Sequence, residues 1–221
     1  MTTSKVYFLL FFIATTMLFS CKNNTSNSVA NLDTQAEAVV ESVAKASSKG
    51  KYAIKSGIVE YKTQMMGMDA KQTLTFDDYG KLEVQDIEME IMGTIIHTAT
   101  LIKDDFIYQM DLVQRTGIKN AATPASNMSI DFENLSEQMT SEMNLKKLGK
   151  EEFLGKTCEK MSIDYQKMQM KGTYLVYKGI ALFFDTDLGT MKMKMTAEKF
   201  IENPKIPAGK FDIPSDIVMA N

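Results

Sequence analysis

The sequence predicts an α+β fold in which an antiparallel β-sheet with one apolar face is closed by two amphipathic helices. Three observations lead there. Met191, Met193 and Met195 alternate with Lys192, Lys194 and Thr196, a period of two that marks a strand with one apolar and one wetted face. From Lys51 onward the same period recurs, interrupted only by short turn signals, as in an antiparallel meander. Two other stretches space their apolar residues by three and four, which is the helical period.

At the start of the chain, Lys5 precedes an apolar run from Val6 to Ala14 that continues through Met17, Leu18 and Phe19 to Ser20 and Cys21. A basic start, a short apolar core and a small residue before the break describe a secretory signal rather than a membrane span, which needs about 20 apolar residues. Leu18-Phe19-Ser20-Cys21 resembles the lipobox of bacterial lipoproteins. That resemblance implies that residues 1–20 are removed and that Cys21 becomes the lipid-modified first residue. Several acyl chains on Cys21 would hold the protein to a membrane durably, where a single chain binds only marginally. Residues 21–31 are then the anchor and a polar tether, and 32–221 form the folded domain. No acidic residue closely follows Cys21, which favours the periplasmic face of the outer membrane.

Within 33–48, Ala36, Val39, Val40, Val43 and Ala46 give a first short amphipathic helix, with Asp33 as N-cap and Gly50 as stop. Strands follow, separated by turns at Gly67-Met68-Asp69, at 77–80, at Met92-Gly93 and at Asp104-Asp105. Val59, Tyr61, Thr63 and Met65 share one strand face. Ile87, Met89 and Ile91 share another, and Phe106, Tyr108, Met110 and Leu112 a third. Glu60, Lys62, Gln64, Glu88, Glu90, Gln109 and Asp111 fall on the opposite faces, so one side of the sheet should be apolar and the other solvated. Residues 114–129 read as a loop. Phe132, Leu135, Met139 and Met143 then predict a second helix over about 132–147, a plug for the apolar face. The segments 148–164, 174–184 and 190–201 complete the sheet.

Composition narrows the function. A net charge of −3 argues against nucleic acid as a partner. The single His97 has no Cys, Asp or Glu at ligand spacing, so it reads as a rim residue and not as a metal ligand. With Cys21 lipidated, Cys158 is a lone thiol without a neighbouring cation cluster, hence a buried structural cysteine. Asp77-Asp78 and Asp104-Asp105 belong to turns, where Asp is favoured for its backbone hydrogen bonds. No nucleophile, base and oxyanion site can be assembled, which argues against an enzyme, and no cofactor is implied.

Four segments carry a family resemblance: Gly155-Lys156-Thr157-Cys158-Glu159-Lys160-Met161, 176–182, Ala197-Glu198-Lys199-Phe200-Ile201-Glu202-Asn203-Pro204, and Lys210-Phe211-Asp212-Ile213-Pro214. They resemble the closing segments of a family of uncharacterised bacterial envelope proteins similar to the outer-membrane lipoprotein carrier LolA and the lipidated receptor LolB. The resemblance implies a strongly bent antiparallel sheet, an incomplete barrel, closed by helices over a hydrophobic cavity.

The compositional oddity is methionine, 18 residues of 221. Met is flexible and polarizable, suited to an apolar cavity that adapts to its ligand. The candidate lining residues are Tyr61, Met65, Met89, Ile91, Tyr108, Met110, Tyr174, Met191, Met193 and Met195. The leading expectation is a non-enzymatic outer-membrane lipoprotein that binds a lipid or the acyl chain of a lipoprotein. A filled core serving a protein partner is the first alternative. The second is copper(I) binding by thioether clusters at Met65-Met66-Gly67-Met68, Met168-Gln169-Met170 and Met191, Met193 and Met195.

Overall fold

The computed structural model describes residues 50–65, 67–122, 130–189 and 191–220. The signal peptide, Cys21, the tether and the first predicted helix lie outside the described residues. Twelve strands make one sheet: β1 (Gly57–Met65), β2 (Met68–Asp77), β3 (Leu82–Ile91), β4 (Thr94–Lys103), β5 (Phe106–Asp111), β6 (Thr116–Ala121), β7 (Lys146–Phe153), β8 (Lys156–Tyr165), β9 (Met170–Tyr177), β10 (Ile180–Asp187), β11 (Lys192–Glu202) and β12 (Val218–Ala220). Their order is β12-β6-β5-β4-β3-β2-β1-β11-β10-β9-β8-β7, so β1 pairs with β11 from the far end of the chain while β7 and β12 remain as edges. The sheet is curved and unclosed, and every pairing is antiparallel except that of β12 with β6. The exposed edge β7 carries Lys146, Lys147, Lys150, Glu151 and Glu152, charges that discourage a further strand from pairing there.

The helices depart from expectation. Among the described residues the only α-helix is α1 (Glu137–Glu142), six residues long, and the remaining helical pieces are 3-10 turns at Asp78–Gly80 and Gln166–Met168. The predicted helix over about 132–147 is cut at both ends. Asp131 accepts the amides of Glu133 and Asn134 in a turn, Ser136 caps Met139 N, and Asn144 at φ +44° takes the chain out of the helix before β7 begins. The plug survives without the helix. Phe132, Leu135, Met143 and Leu145 still pack on Met161, Ile163, Tyr174 and Val176, whereas Met139 faces solvent.

The expectation of one apolar and one solvated side is also corrected. Cross-strand partners share a face, and the register places Phe76, Leu74, Tyr61 and Val59 on one face of β1 and β2. Through Leu101 opposite both Val84 and Tyr108, and Ala99 opposite Met110, it places Val84, Ala99, Leu101, Tyr108 and Met110 on the other. That second face is covered by the C-terminal segment, whose Phe211, Ile213, Ile217 and Met219 complete a separate core. The main core gathers Tyr52, Ile54, Val59, Tyr61, Leu74, Phe76, Leu182, Met195 and Ala197. Residues 116–121, expected in a loop, are strand β6.

Candidate functional site

Two neighbouring rows of cross-strand partners define the site, on the face that carries Tyr61. The outer row runs Met68 opposite Met65, Met65 opposite Met193 and Met193 opposite Thr186. One step inward, Met89 faces Ala70, Ala70 faces Thr63, Thr63 faces Met195 and Met195 faces Phe184. Ala70 and Thr63 are short side chains between long ones. The space they leave is a pocket of about 80 Å³ lined by Thr63, Met65, Met68, Ala70, Gln72, Ile87, Met89 and Met193. Its four methionines are half-buried, reachable from solvent yet held in ordered strands. None of its lining residues is ionisable, and its only polar side chains are those of Thr63 and Gln72. A larger space of about 380 Å³ beside α1 is open to solvent and lined by Leu135, Glu137, Thr140, Ser141, Asn144 and Leu145.

The structure sorts the residues singled out from the sequence. Met65, Met89 and Met193 meet at the pocket. Ile91 is half-buried two residues beyond Met89 on the same strand, past the pocket lining. Tyr61 lies deeper in the core, 4% exposed, its hydroxyl donating to Ala181 O at 3.1 Å, and Met195 is buried beside it. Burial raises the Tyr61 phenol far above its ordinary range, so it stays neutral. Tyr174 packs under the plug between Phe132 and Phe184, each at 5.6 Å between ring centroids, and accepts from Thr186 Oγ1 at 3.1 Å. Met191 precedes β11 and holds the turn by accepting from Leu188 N at 2.7 Å. Tyr108 and Met110 belong to the opposite face and cannot join the pocket.

Met68, named in the sequence only within the Met65-Met66-Gly67-Met68 cluster, is not expected among the lining residues because it reads as a turn residue beside Gly67, but Met68 and Ala70 alternate with Asp69 and Lys71, a period of two that extends the strand back to the turn. Of the copper-type motifs, Met65 and Met68 of the first meet at the pocket, whereas Met191, Met193 and Met195 are divided, one in a turn, one in the pocket and one in the core. Cys158 is 0% exposed and its thiol is pushed up by burial, with the Glu152 and Glu151 carboxylates adding to it. His97 is half-buried in β4 opposite Glu88. Among the described residues no three of His, Cys, Asp and Glu gather as a metal site.

Compared with solved structures, the chain is similar to an uncharacterised conserved protein from Thermus thermophilus, with a TM-score of 0.53, 10% identity, and coverage of 84% of this chain and 98% of that one. The two share a fold. Weaker likenesses include MucB (TM-score 0.49, 6% identity, 82% of this chain and 66% of that one) and the Mycobacterium tuberculosis lipoprotein LppX (TM-score 0.39, 11% identity, 79% of this chain and 98% of that one). Scores below 0.5 carry no conclusion about this chain. No protein-family model and no curated protein matches the sequence. The open, curved antiparallel sheet implied by the LolA and LolB resemblance is present.

Proposed function

We propose that this chain is a non-enzymatic lipoprotein of the bacterial outer membrane, anchored through Cys21 on the periplasmic side, that binds an apolar moiety such as an acyl chain at the methionine pocket. The observation that carries this reading is the enclosure of one uncharged hollow by Met65, Met68, Met89 and Met193. Size sets the mode of binding. At about 80 Å³ the hollow is smaller than the roughly 300–1,000 Å³ of drug-sized sites, so it takes the end of a chain rather than a whole lipid. Unbranched thioether side chains repack readily, which lets the hollow deepen as successive methylenes enter. Each buried methylene contributes about 0.8 kcal/mol, so a chain end of a few carbons gains a few kcal/mol before ordering costs.

Native mass spectrometry of the protein purified from its own membranes, before and after organic extraction, tests the reading. Support would be an extractable hydrophobic adduct that disappears when Met65 and Met193 are both replaced by Lys in a protein whose circular dichroism and urea midpoint show it folded. A single apo mass in the native protein overturns ligand binding. It would favour the second reading, a filled core serving a protein partner, which the small volume of the pocket also suits.

A further inference from the structure

Successive hairpins of an antiparallel sheet turn at alternate ends, and the two ends of this sheet differ in chemistry. The turns β1–β2, β3–β4 and β10–β11 share one end, since Met65 pairs with Met68 and Met193, and Ala70 with Met89. They join six neighbouring strands, so their tips follow one another at about 10 Å. Along 65–68, 91–96 and 188–191 the sequence has no ionisable residue. Met92 is fully exposed and Ile95 more than half exposed, while Met65, Met68, Leu188 and Met191 are half-buried. Ionisable groups begin one residue behind the tips, at Asp69, Glu90, His97, Asp187 and Lys192. The opposite end reverses this. Its turns carry Asp77, Asp78, Lys81, Asp104, Asp105 and Lys178, and its apolar tip residues Tyr79 and Leu154 are 40% and 41% exposed.

Met92 stands at φ +51° in a two-residue turn before Gly93, where Asn or Asp is the usual residue and a bulky side chain is disfavoured. An apolar side chain held in water at a strained position marks a surface that meets something else. Two observations select a lipid bilayer. Met65 and Met68 belong both to this rim and to the lining of the pocket, so a chain end leaving a bilayer beneath the rim meets the hollow first. The anchor also reaches. The described chain begins at the acidic end, where Tyr52 N donates to Tyr79 O at 2.9 Å. A ten-residue strand such as β3 rises about 33 Å, and the chain from Cys21 to Gly50 can span up to about 100 Å. We infer that the tips of the β1–β2, β3–β4 and β10–β11 hairpins insert into the surface of the bilayer that holds the anchor. Asp69, Glu90 and Asp187 outnumber Lys192 behind them, so insertion is apolar and needs no anionic lipid. The inference rests on the anchored-lipoprotein reading for its bilayer, but not on occupancy of the pocket.

The chain has no Trp, so one introduced Trp reports a single position. Met92→Trp and Leu154→Trp are matched probes, each in a two-residue turn before Gly, at φ +51° and +50°, on opposite ends of the sheet. The full-length variants, expressed with their own signal and shown folded by circular dichroism, are reconstituted into vesicles of phosphatidylethanolamine and phosphatidylcholine that contain acyl-brominated lipid. The Met92→Trp emission is expected to shift to the blue and to be quenched by the bromines at low and high salt alike. The Leu154→Trp emission should stay as it is in water. Protein that floats with the vesicles yet shows no quenching at either probe, equal quenching at both, or quenching that high salt abolishes overturns the inference and leaves the anchor standing. A rim that serves a protein partner instead would give the first of these results. Protein that does not float overturns anchor and insertion together. Should either variant fail to fold, Ile95→Trp and Tyr79→Trp replace the pair and are judged by the same outcomes.

Discussion

The Tyr52 hydroxyl donates to Glu83 Oε2 at 2.7 Å in a place that water does not reach, Tyr52 being 5% and Glu83 0% exposed. The same carboxylate oxygen accepts from Lys51 Nζ at 2.8 Å, and Gln85 Nε2 donates to the other oxygen at 2.9 Å. The Tyr52 ring packs on Phe76 with centroids 4.4 Å apart. Together these contacts fasten the chain ahead of β1 to the floor of the main core.

Removing one donor from a buried carboxylate leaves part of its desolvation uncompensated. Tyr52→Phe is therefore expected to cost about 1–3 kcal/mol, read as a lower urea midpoint with an unchanged slope. An unaltered midpoint would show that the network contributes nothing net. Burial first, and then the Glu83 carboxylate, hold the Tyr52 phenol well above its ordinary range. A raised folded-state value means that this contribution is complete below the unfolded value, about 10, and is lost as pH rises through the folded one. Spectrophotometric titration of the folded protein should accordingly show Tyr52 still protonated when exposed tyrosines have ionised.

A second charge cluster joins β8 to β11. Glu202 accepts from Lys156, and from Lys178 at 3.5 Å, with its side chain 22% exposed. The Lys156 hydrogen bond, followed by the charges of Lys156 and Lys178, lowers the Glu202 carboxyl below its usual value. A depressed folded-state value gives stability that is present above the unfolded value, about 4.3, and is lost as pH falls through the folded one. Glu202→Gln should destabilise by no more than about 1 kcal/mol at pH 7, given solvent screening. The difference should shrink as pH falls through the lowered folded-state value, so a gap that persists once the carboxyl is protonated would assign the effect to packing.

Cys158 offers a check on burial. With its side chain enclosed and its thiol raised by desolvation, little thiolate forms at pH 8. Alkylation of the folded protein should be slow and should accelerate when denaturant opens the domain. Rapid labelling without denaturant would contradict its place in the main core.

What the sequence discloses and what it hides follow from the reach of each signal. Period-two alternation identifies β1, β3, β5 and β11 and the hairpins between them because it is local. Which faces meet is decided by register, which is not local, and so alternation groups Tyr108 and Met110 with Tyr61 although the ladder from β2 to β5 puts them on opposite sides. The cover on that other face escapes notice because Phe211, Ile213 and Ile217 lie in an irregular segment without periodicity. The pocket is half legible: Met65, Met89 and Met193 follow from alternation, while Met68 is masked by Gly67 and the hollow itself depends on the shortness of Ala70 and Thr63 in a neighbouring row.

Gly117 shows how a composition signal misleads and supplies a further prediction. In sequence it looks like a turn glycine, yet it lies within β6 opposite Met110, and the absence of its side chain makes room for the C-terminal segment. A Cβ there would come within 2.7 Å of Met219 Sδ, 3.0 Å of Gln109 O and 3.3 Å of Ile217 Cγ2. Met219 can rotate away, but the Gln109 carbonyl is part of the sheet and Ile217 is buried, so the strain falls on the pairing of β12 with β6. Gly117→Ala is expected to cost about 1–3 kcal/mol, as overpacking of a filled site does, and to raise hydrogen exchange at Val218, Met219 and Ala220 first. Adding Met219→Ala should restore part of the loss, because the two side chains compete for one space, and the double-mutant cycle measures that coupling directly. If the two losses simply add, the steric relationship between Gly117 and Met219 is not what holds the C-terminal strand in place.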